Sequence, residues 1–268
     1  ILKRIKEISK KEIVFFKKDL RDKSIFNIFK KYKIDCVIHF AGLKSINESE
    51  KKFKLYFNNN VMGSLNLFQA MDKYDCRKII FSSSANVYDQ YTKAPFKESN
   101  PIRPSSKYGL TKVMIEKFLR MYSERYNKKW SVVILRYFNP IGAHQSGEIG
   151  EDPIGLPNNI FPLILNVASK KISELKVFGK DWNTKDGTCI RDYIHVMDLA
   201  EGHVLSLEYM LKNNLKYTEL NLGTGKGTSI LELISSFQEV NKVKVPYKFV
   251  ARREGDLPYS VADNSLAR

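Results

Sequence analysis

The sequence predicts an α/β protein: a doubly wound parallel sheet, then a smaller mixed α/β region. Three observations lead there. The first half alternates short apolar runs with amphipathic stretches, the pattern of repeated β-α units. Those runs break off into small, polar or aromatic residues, as strands do where they deliver the chain to a ligand crevice. After Asn139-Pro140 the sequence turns to Gly, Pro and Asn (G-E-D-P-I-G-L-P-N-N) and to shorter elements, which suits a region covering a ligand.

Taken in order, Ile13-Val14-Phe15-Phe16 is expected to be a strand, and Ser24 to cap a helix running through Tyr32. Cys36 to Phe40 (C-V-I-H-F) reads as the next strand, stopping at Ala41-Gly42. A helix is expected from Asn60 to Tyr74, then a strand from Lys78 to Phe81 ending in Ser82-Ser83-Ser84. Another helix follows from about Ser106 to Tyr126, and a strand from Val132 to Arg136. Ligand contacts are therefore sought just beyond Phe16, Phe40, Phe81 and Arg136. Asp19, Ala41-Gly42-Leu43-Lys44, the serine triplet and Tyr137-Phe138-Asn139 lie there.

The 268 residues can bury one large core or two modest ones, and 28% charged with 43% hydrophobic residues is ordinary for a globular chain. No apolar run approaches the roughly 18 residues that span a bilayer, so no membrane partner is expected. The opening Ile1-Leu2-Lys3-Arg4 has neither a Met nor the apolar stretch of a signal peptide, and the natural N-terminus is expected to lie upstream. A net charge of +16 raises nucleic-acid binding. The basic residues are densest in the first 54 positions, at helix-like spacing and without a binding motif, so solvated faces explain them better. They would also help steer a substrate bearing a pyrophosphate. Three cysteines (Cys36, Cys76, Cys189) and four histidines lack metal-ligand spacing, so no metal is expected. An odd, sparse thiol count suits the reducing cytosol.

The sharpest chemical signal is Tyr108-Gly109-Leu110-Thr111-Lys112. A helix brings positions four apart onto one face, placing Lys112 beneath the Tyr108 phenol. A free tyrosine, with a pKa near ~10, is a poor base at neutral pH, but a nearby ammonium favours the phenolate. Tyr108 then becomes a usable general base for a sugar hydroxyl. Ser84 ends a strand upstream at a distance that resembles the short-chain dehydrogenase/reductases, where such a hydroxyl shares the proton with the Tyr.

Longer blocks extend this pattern: H-F-A-G-L-K from His39, F-S-S-S-A-N-V-Y from Phe81, and L-R-Y-F-N-P from Leu135. G-E-D-P-I-G-L-P-N-N from Gly150, R-D-Y-I-H-V-M-D-L-A from Arg191 and R-R-E-G-D from Arg252 follow. In content, order and spacing they resemble the UDP-galactose 4-epimerase family of the extended short-chain dehydrogenase/reductases, over nearly the whole chain. The resemblance implies a Rossmann-type NAD-binding domain over residues 1–138 and a UDP-sugar-binding domain over 139–268, partly interleaved with it. It assigns Tyr108, Ser84 and Lys112 to catalysis. Asp19, Phe40, Ala41, Gly42, Lys44, Asn59, Ser82 and Tyr137, with Tyr108 and Lys112, match the positions that contact NAD. Asn139, Asn158, Asn159, Phe178, Arg191, Arg253 and Asp256, with Ser84 and Ser260, match those that hold the UDP-sugar. Two guanidinium groups for a diphosphate and a carboxylate for ribose hydroxyls are chemically consistent with that assignment. The family's cofactor stays bound, takes hydrogen from sugar C4 and returns it to the other face. Members are often homodimers through a helix pair, here Asn60 to Tyr74 and Ser106 to Tyr126.

The sequence departs from the family at both ends. No glycine-rich G-x-x-G-x-x-G turn precedes Asp19, and the chain stops soon after Asp263, so a fragment with weak NAD binding and doubtful activity is expected. The resemblance places Ser260 beside the sugar C2 substituent, where a small residue leaves room for an N-acetyl group. A related 4,6-dehydratase would need an acid pair where Ala85 and Asn86 stand, and neither trades protons. A non-catalytic nucleotide-binding protein is the other alternative, since fold does not fix function. Retention of Ser84, Tyr108 and Lys112 together argues against it.

Overall fold

The computed structural model describes residues 1–125, 130–153, 155, 157–253 and 255–268. Helix α1 (Leu2–Ser9) buries none of its residues. The segment Ile13–Phe16, expected as a strand, forms none: Val14 and Phe15 are 65% and 59% exposed, and no strand bonds to it. A β-branched and aromatic run becomes a strand only where a neighbour takes up its backbone groups. Asp22, rather than Ser24, caps the next helical run, its carboxylate accepting the Ser24 N–H at 2.7 Å. A 3-10 turn over Lys23–Ile25 then leads into α2 (Phe26–Lys31).

Strand β1 (Val37–His39) is followed by α3 (Ile46–Lys51), capped by Ser45. Helix α4 (Phe53–Tyr56) passes through a π-helical stretch, Phe57–Met62, into α5 (Gly63–Lys73). Helical structure therefore begins earlier than the expected Asn60. Next come β2 (Lys78–Ser82), a 3-10 turn over Ala85–Val87, α6 (Lys107–Arg125) and β3 (Ser131–Tyr137). Tyr126, the expected end of α6, lies outside the described residues, as do Ile154, Leu156 and Glu254 of the quoted blocks. The second half contains β4 (Asn139–Ile141), α7 (Ile160–Ala168), β5 (Leu175–Phe178), β6 (Ile190–His195) and α8 (Val196–Lys212). It continues with β7 (Tyr217–Leu222), β8 (Gly227–Ser229), α9 (Ile230–Asn241), β9 (Tyr247–Val250) and β10 (Tyr259–Ser260). Helix α9 starts in a full capping box between Ser229 and Glu232.

The main sheet is parallel throughout, in the order β1-β2-β3-β7. Its central strands are continuous apolar runs because both faces are covered. On one face Ile79, Phe81, Val132 and Ile134 pack with Phe68 of α5 and with Ile115 and Leu119 of α6. On the other face Ile80, Val133 and Leu135 pack with Leu199 and Met210 of α8. Successive residues thus feed opposite cores, which is the doubly wound arrangement. Strand β7 joins the main sheet from beyond residue 139, so the two halves of the chain interleave. The smaller sheets are β10-β6-β4, with β8 antiparallel to β6, and the pair β5-β9. No helix among the described residues is long and apolar enough to cross a membrane.

Candidate active site

The carboxyl ends of β1, β2 and β3 converge beside the first turn of α6. Each serine of the triplet after Phe81 has a separate task. The Ser82 carbonyl oxygen accepts a hydrogen bond from Lys112 Nζ at 2.7 Å. Ser83 Oγ donates to Glu116 at 2.5 Å. Ser84 hydrogen-bonds the Tyr108 phenol. Tyr108, Lys112 and Glu116 follow one another at i, i+4 and i+8 on the buried face of α6, as the helical period requires. Glu116 in turn grips Arg136 of β3 through contacts of 3.1 and 2.7 Å, and Glu219 of β7 closes on the same guanidinium at 3.0 Å. An ion-pair cluster, buried at Glu116 and Arg136 and partly exposed at Glu219, thus fixes β2, β3, β7 and α6 at the depth where the serine triplet ends.

Burial sets the electrostatics. It pushes the Tyr108 phenol up to about 12, against the hydrogen bond from Ser84. It lowers the Lys112 ammonium to about 8, against the attraction of Glu116. His39, below this group, is held neutral by burial and by Lys112, down to about 3, and bonds Ser64 Oγ at 2.8 Å. Lys112 Nζ lies 5.9 Å from the centre of the Tyr108 ring.

In front of Ser84 opens a cleft of about 300 Å³. Ser84, Tyr137, Asn139, Asn158 and Asn159 line it, and Phe178, Arg191, Arg253, Asp256 and Ser260 complete the set, so every residue matched to the UDP-sugar reaches one cavity. Arg191 projects from β6, donating to the Leu257 carbonyl at 2.7 Å and pairing with Asp256 at 3.4 Å. The Arg253 guanidinium stacks over the Phe178 ring at 3.8 Å. Ser260 pairs with Arg191 across β10 and β6, while Tyr259, 40% exposed, is absent from the lining.

The residues matched to NAD, apart from Tyr137, lie outside this cleft. Asn60 clamps the loop after β1, accepting from Leu43 N–H at 2.7 Å and donating to the Leu43 carbonyl at 3.0 Å. Within that loop a Cβ on Gly42 would come 3.3 Å from Asn60 Oδ1, and Asn59 Nδ2 donates to the same oxygen at 3.0 Å. Phe40 is exposed and rests on His203, 4.8 Å between ring centres. Lys44 reaches Glu151 at 3.6 Å, and Glu151 also accepts from Asn159 at 2.6 Å, joining the two halves of the site. Asp19 is turned to Arg21 in a bidentate contact that lowers its pKa to about 2.

The group fits a nucleotide cofactor in two respects. His203 is buried between Phe40 and Tyr137, with Nδ1 bonded to the Leu199 carbonyl and Nε2 without a partner. The Lys112 ammonium retains donor capacity beyond its bond to Ser82.

Several residues that line the cleft were not assigned to it from the sequence. Cys189 and Tyr193 line the cleft with Arg191, the period-two alternation of one strand face. Asn86 and Tyr88 line it too, within a block from which only Ser82 and Ser84 had been assigned to the site. Among the described residues no group of three or more His, Cys, Asp or Glu could hold a metal.

Residues 3–223 match the model of the NAD dependent epimerase/dehydratase family. The chain belongs to that family. It is 48% identical over 268 residues to UDP-glucose 4-epimerase of Bacillus subtilis (strain 168), covering 100% of this chain and 78% of that protein. Among solved structures of the epimerase/dehydratase type, it matches UDP-glucose-4-epimerase from Stenotrophomonas maltophila, bound to NAD and formylated UDP-arabinopyranose. That match has a TM-score of 0.96 and 42% identity, over 99% of this chain and 79% of the other. The Bifidobacterium longum UDP-glucose 4-epimerase, in complex with NAD+ and UDP, matches with a TM-score of 0.93 and 41% identity over the same shares.

Proposed function

We propose that this protein is an isomerase that interconverts UDP-galactose and UDP-glucose by NAD-dependent epimerisation at C4. The observation that carries this reading is the cleft. It joins Ser84, the hydrogen-bond partner of Tyr108, to two arginines and a carboxylate suited to a nucleoside diphosphate.

NAD, when bound, would supply the acceptor for a hydride from sugar C4 and the donor that returns it to the opposite face of the resulting 4-keto sugar. Tyr108 takes the proton of the 4-hydroxyl and later gives it back. A phenol at about 12 is ionised in only roughly one molecule in 100,000 at pH 7, so positive charge has to favour the phenolate. Lys112 contributes its ammonium, and Ser84 a hydrogen bond. Lys112 would also hold the nicotinamide ribose, Tyr137 would lie beside the nicotinamide, and Phe40, Ala41, Gly42, Lys44, Asn59, Ser82 and Asp19 would hold the rest of the dinucleotide. Arg191, Arg253, Asp256, Asn139, Asn158, Asn159 and Phe178 anchor UDP. Anchoring by this remote, non-reacting part retains the keto sugar while it turns over. A dehydratase would need an acid pair beyond Ser84, where Ala85 and Asn86 line the cleft.

Ser260 leaves space at the sugar C2 position and Tyr259 faces away, which supports acceptance of the N-acetylated UDP-hexosamines as well. We assign residues 1–138 to cofactor binding and 139–268 to the UDP-sugar, with α8 and β7 crossing back. Exposed Leu55, Met62, Leu110 and Met121 on the helices flanking the sheet support a homodimer through them. Three unpaired cysteines support a cytosolic setting. Incubation with UDP-galactose and NAD, with UDP-glucose followed by proton NMR, tests the activity. Conversion that disappears in Tyr108→Phe is the expected result, and no conversion in the wild type would overturn it.

A further inference from the structure

We propose that Asn86 is a positioning residue that sets the direction of the Ser84 proton, and that Gly109 is the gap that lets it do so. This rests on Tyr108 being the base. Ser84 Oγ accepts two hydrogen bonds from Asn86, one from its backbone N–H at 3.2 Å and one from Nδ2 at 3.0 Å. A hydroxyl has two acceptor sites and one proton. With both acceptor sites filled, the proton of Ser84 is left to point at the Tyr108 phenol, in the sense that favours the phenolate. Ser84 is therefore a donor only. It cannot receive the proton of the sugar hydroxyl, which passes directly to Tyr108.

The turn that carries Asn86 can take this place only because its neighbour on α6 has no side chain. A Cβ on Gly109 would stand 2.4 Å from the Asn86 carbonyl oxygen and 2.9 Å from Pro104 Cβ. Gly109 follows Tyr108 directly, so the close approach that seats Asn86 lies one residue from the base. The lateral amide of Asn86 fills the position where an acid would divert the same proton.

Asn86→Asp tests this with an isosteric change, replacing the donating amide by a carboxylate that accepts. The Ser84 proton then turns to residue 86 and away from Tyr108. The turnover number with UDP-galactose is expected to fall about ten-fold or more, with KM within about two-fold, the effect of losing one hydrogen bond to a charged group. The acidic limb of the kcat profile moves up by about one pH unit, because the phenolate has lost a donor. In a Ser84→Ala background the same substitution changes kcat less than about two-fold, since no serine proton remains to be misdirected. Asn86→Ala, which removes the amide without adding an acceptor, gives a smaller loss with the same dependence on Ser84. An unmoved acidic limb in Asn86→Asp, or losses that simply add to that of Ser84→Ala, would overturn the proposal. If Tyr108→Phe kept full turnover, the base assignment itself would fall. If Tyr108→Phe is inactive and Asn86→Asp is unaffected, only this inference falls.

Discussion

Removing the charge of Lys112 should stabilise the fold while abolishing turnover. Lys112 is 4% exposed, and burial lowers its pKa from 10.5 to about 8 despite Glu116 one turn on. At about 1.4 kcal/mol per pH unit, keeping it charged in the folded state opposes folding by roughly 3 kcal/mol below that pH. Lys112→Met keeps the stem and removes the charge, but deprives the Ser82 carbonyl of its 2.7 Å donor, a loss of about 1 kcal/mol. The variant is therefore expected to be more stable than wild type by roughly 2 kcal/mol at pH 7. Between pH 8 and 10.5 the unfolded lysine binds a proton that the folded one has released. The contribution of Lys112 to wild-type stability consequently rises with pH in that window, and the variant's advantage shrinks by about 2 kcal/mol by pH 9.5. Groups common to both proteins titrate alike and cancel in the difference. Urea denaturation of both at pH 7 and pH 9.5 measures it. A variant less stable at pH 7, or an advantage that does not shrink, would refute the claim that a buried charge is retained here for chemistry.

Three further outcomes are expected. Glu116→Leu leaves buried Arg136 with Glu219 as its ion-pair partner among the described residues, and urea midpoints should register a loss of about 3 kcal/mol, the low end for a broken buried pair. Ser260→Tyr narrows the cleft, so turnover of UDP-N-acetylgalactosamine is lost while that of UDP-galactose persists; equal losses on both sugars would count against the C2 assignment. Met62→Arg places a charge on an exposed apolar face of the helix pair, and light scattering should find a monomer where the wild type is a dimer.

The central strands were legible because Ile79 to Phe81 and Val132 to Leu135 are apolar without interruption, which a sheet covered on both faces demands. Ile13 to Phe16 looks the same in isolation. Pairing is a tertiary event, and local propensity carries no information about a neighbour. The helix start at Phe53 and the π-helical stretch were missed for a related reason: apolar periodicity does not register hydrogen-bond pattern. Spacing alone was also insufficient for the base. Tyr74 and Lys78 are four apart as well, yet α5 ends at Lys73 and Lys78 opens β2, so they share no helix face. The cleft residues come from separate segments and were found as blocks resembling a family, not by local physics. Glu116 and Arg136, twenty positions apart, give no sign in sequence that they meet in the core.

Epimerisation through a 4-keto sugar is tested most directly with UDP-galactose carrying deuterium at C4. Incubated with the protein and NAD in ordinary water, it should yield UDP-glucose that keeps the deuterium at C4, since the hydrogen leaves and returns within one site. Proton NMR of the product reads this without ambiguity, because a retained deuterium silences the C4 resonance. UDP-glucose with ordinary hydrogen at C4 would mean exchange with solvent and would contradict the account.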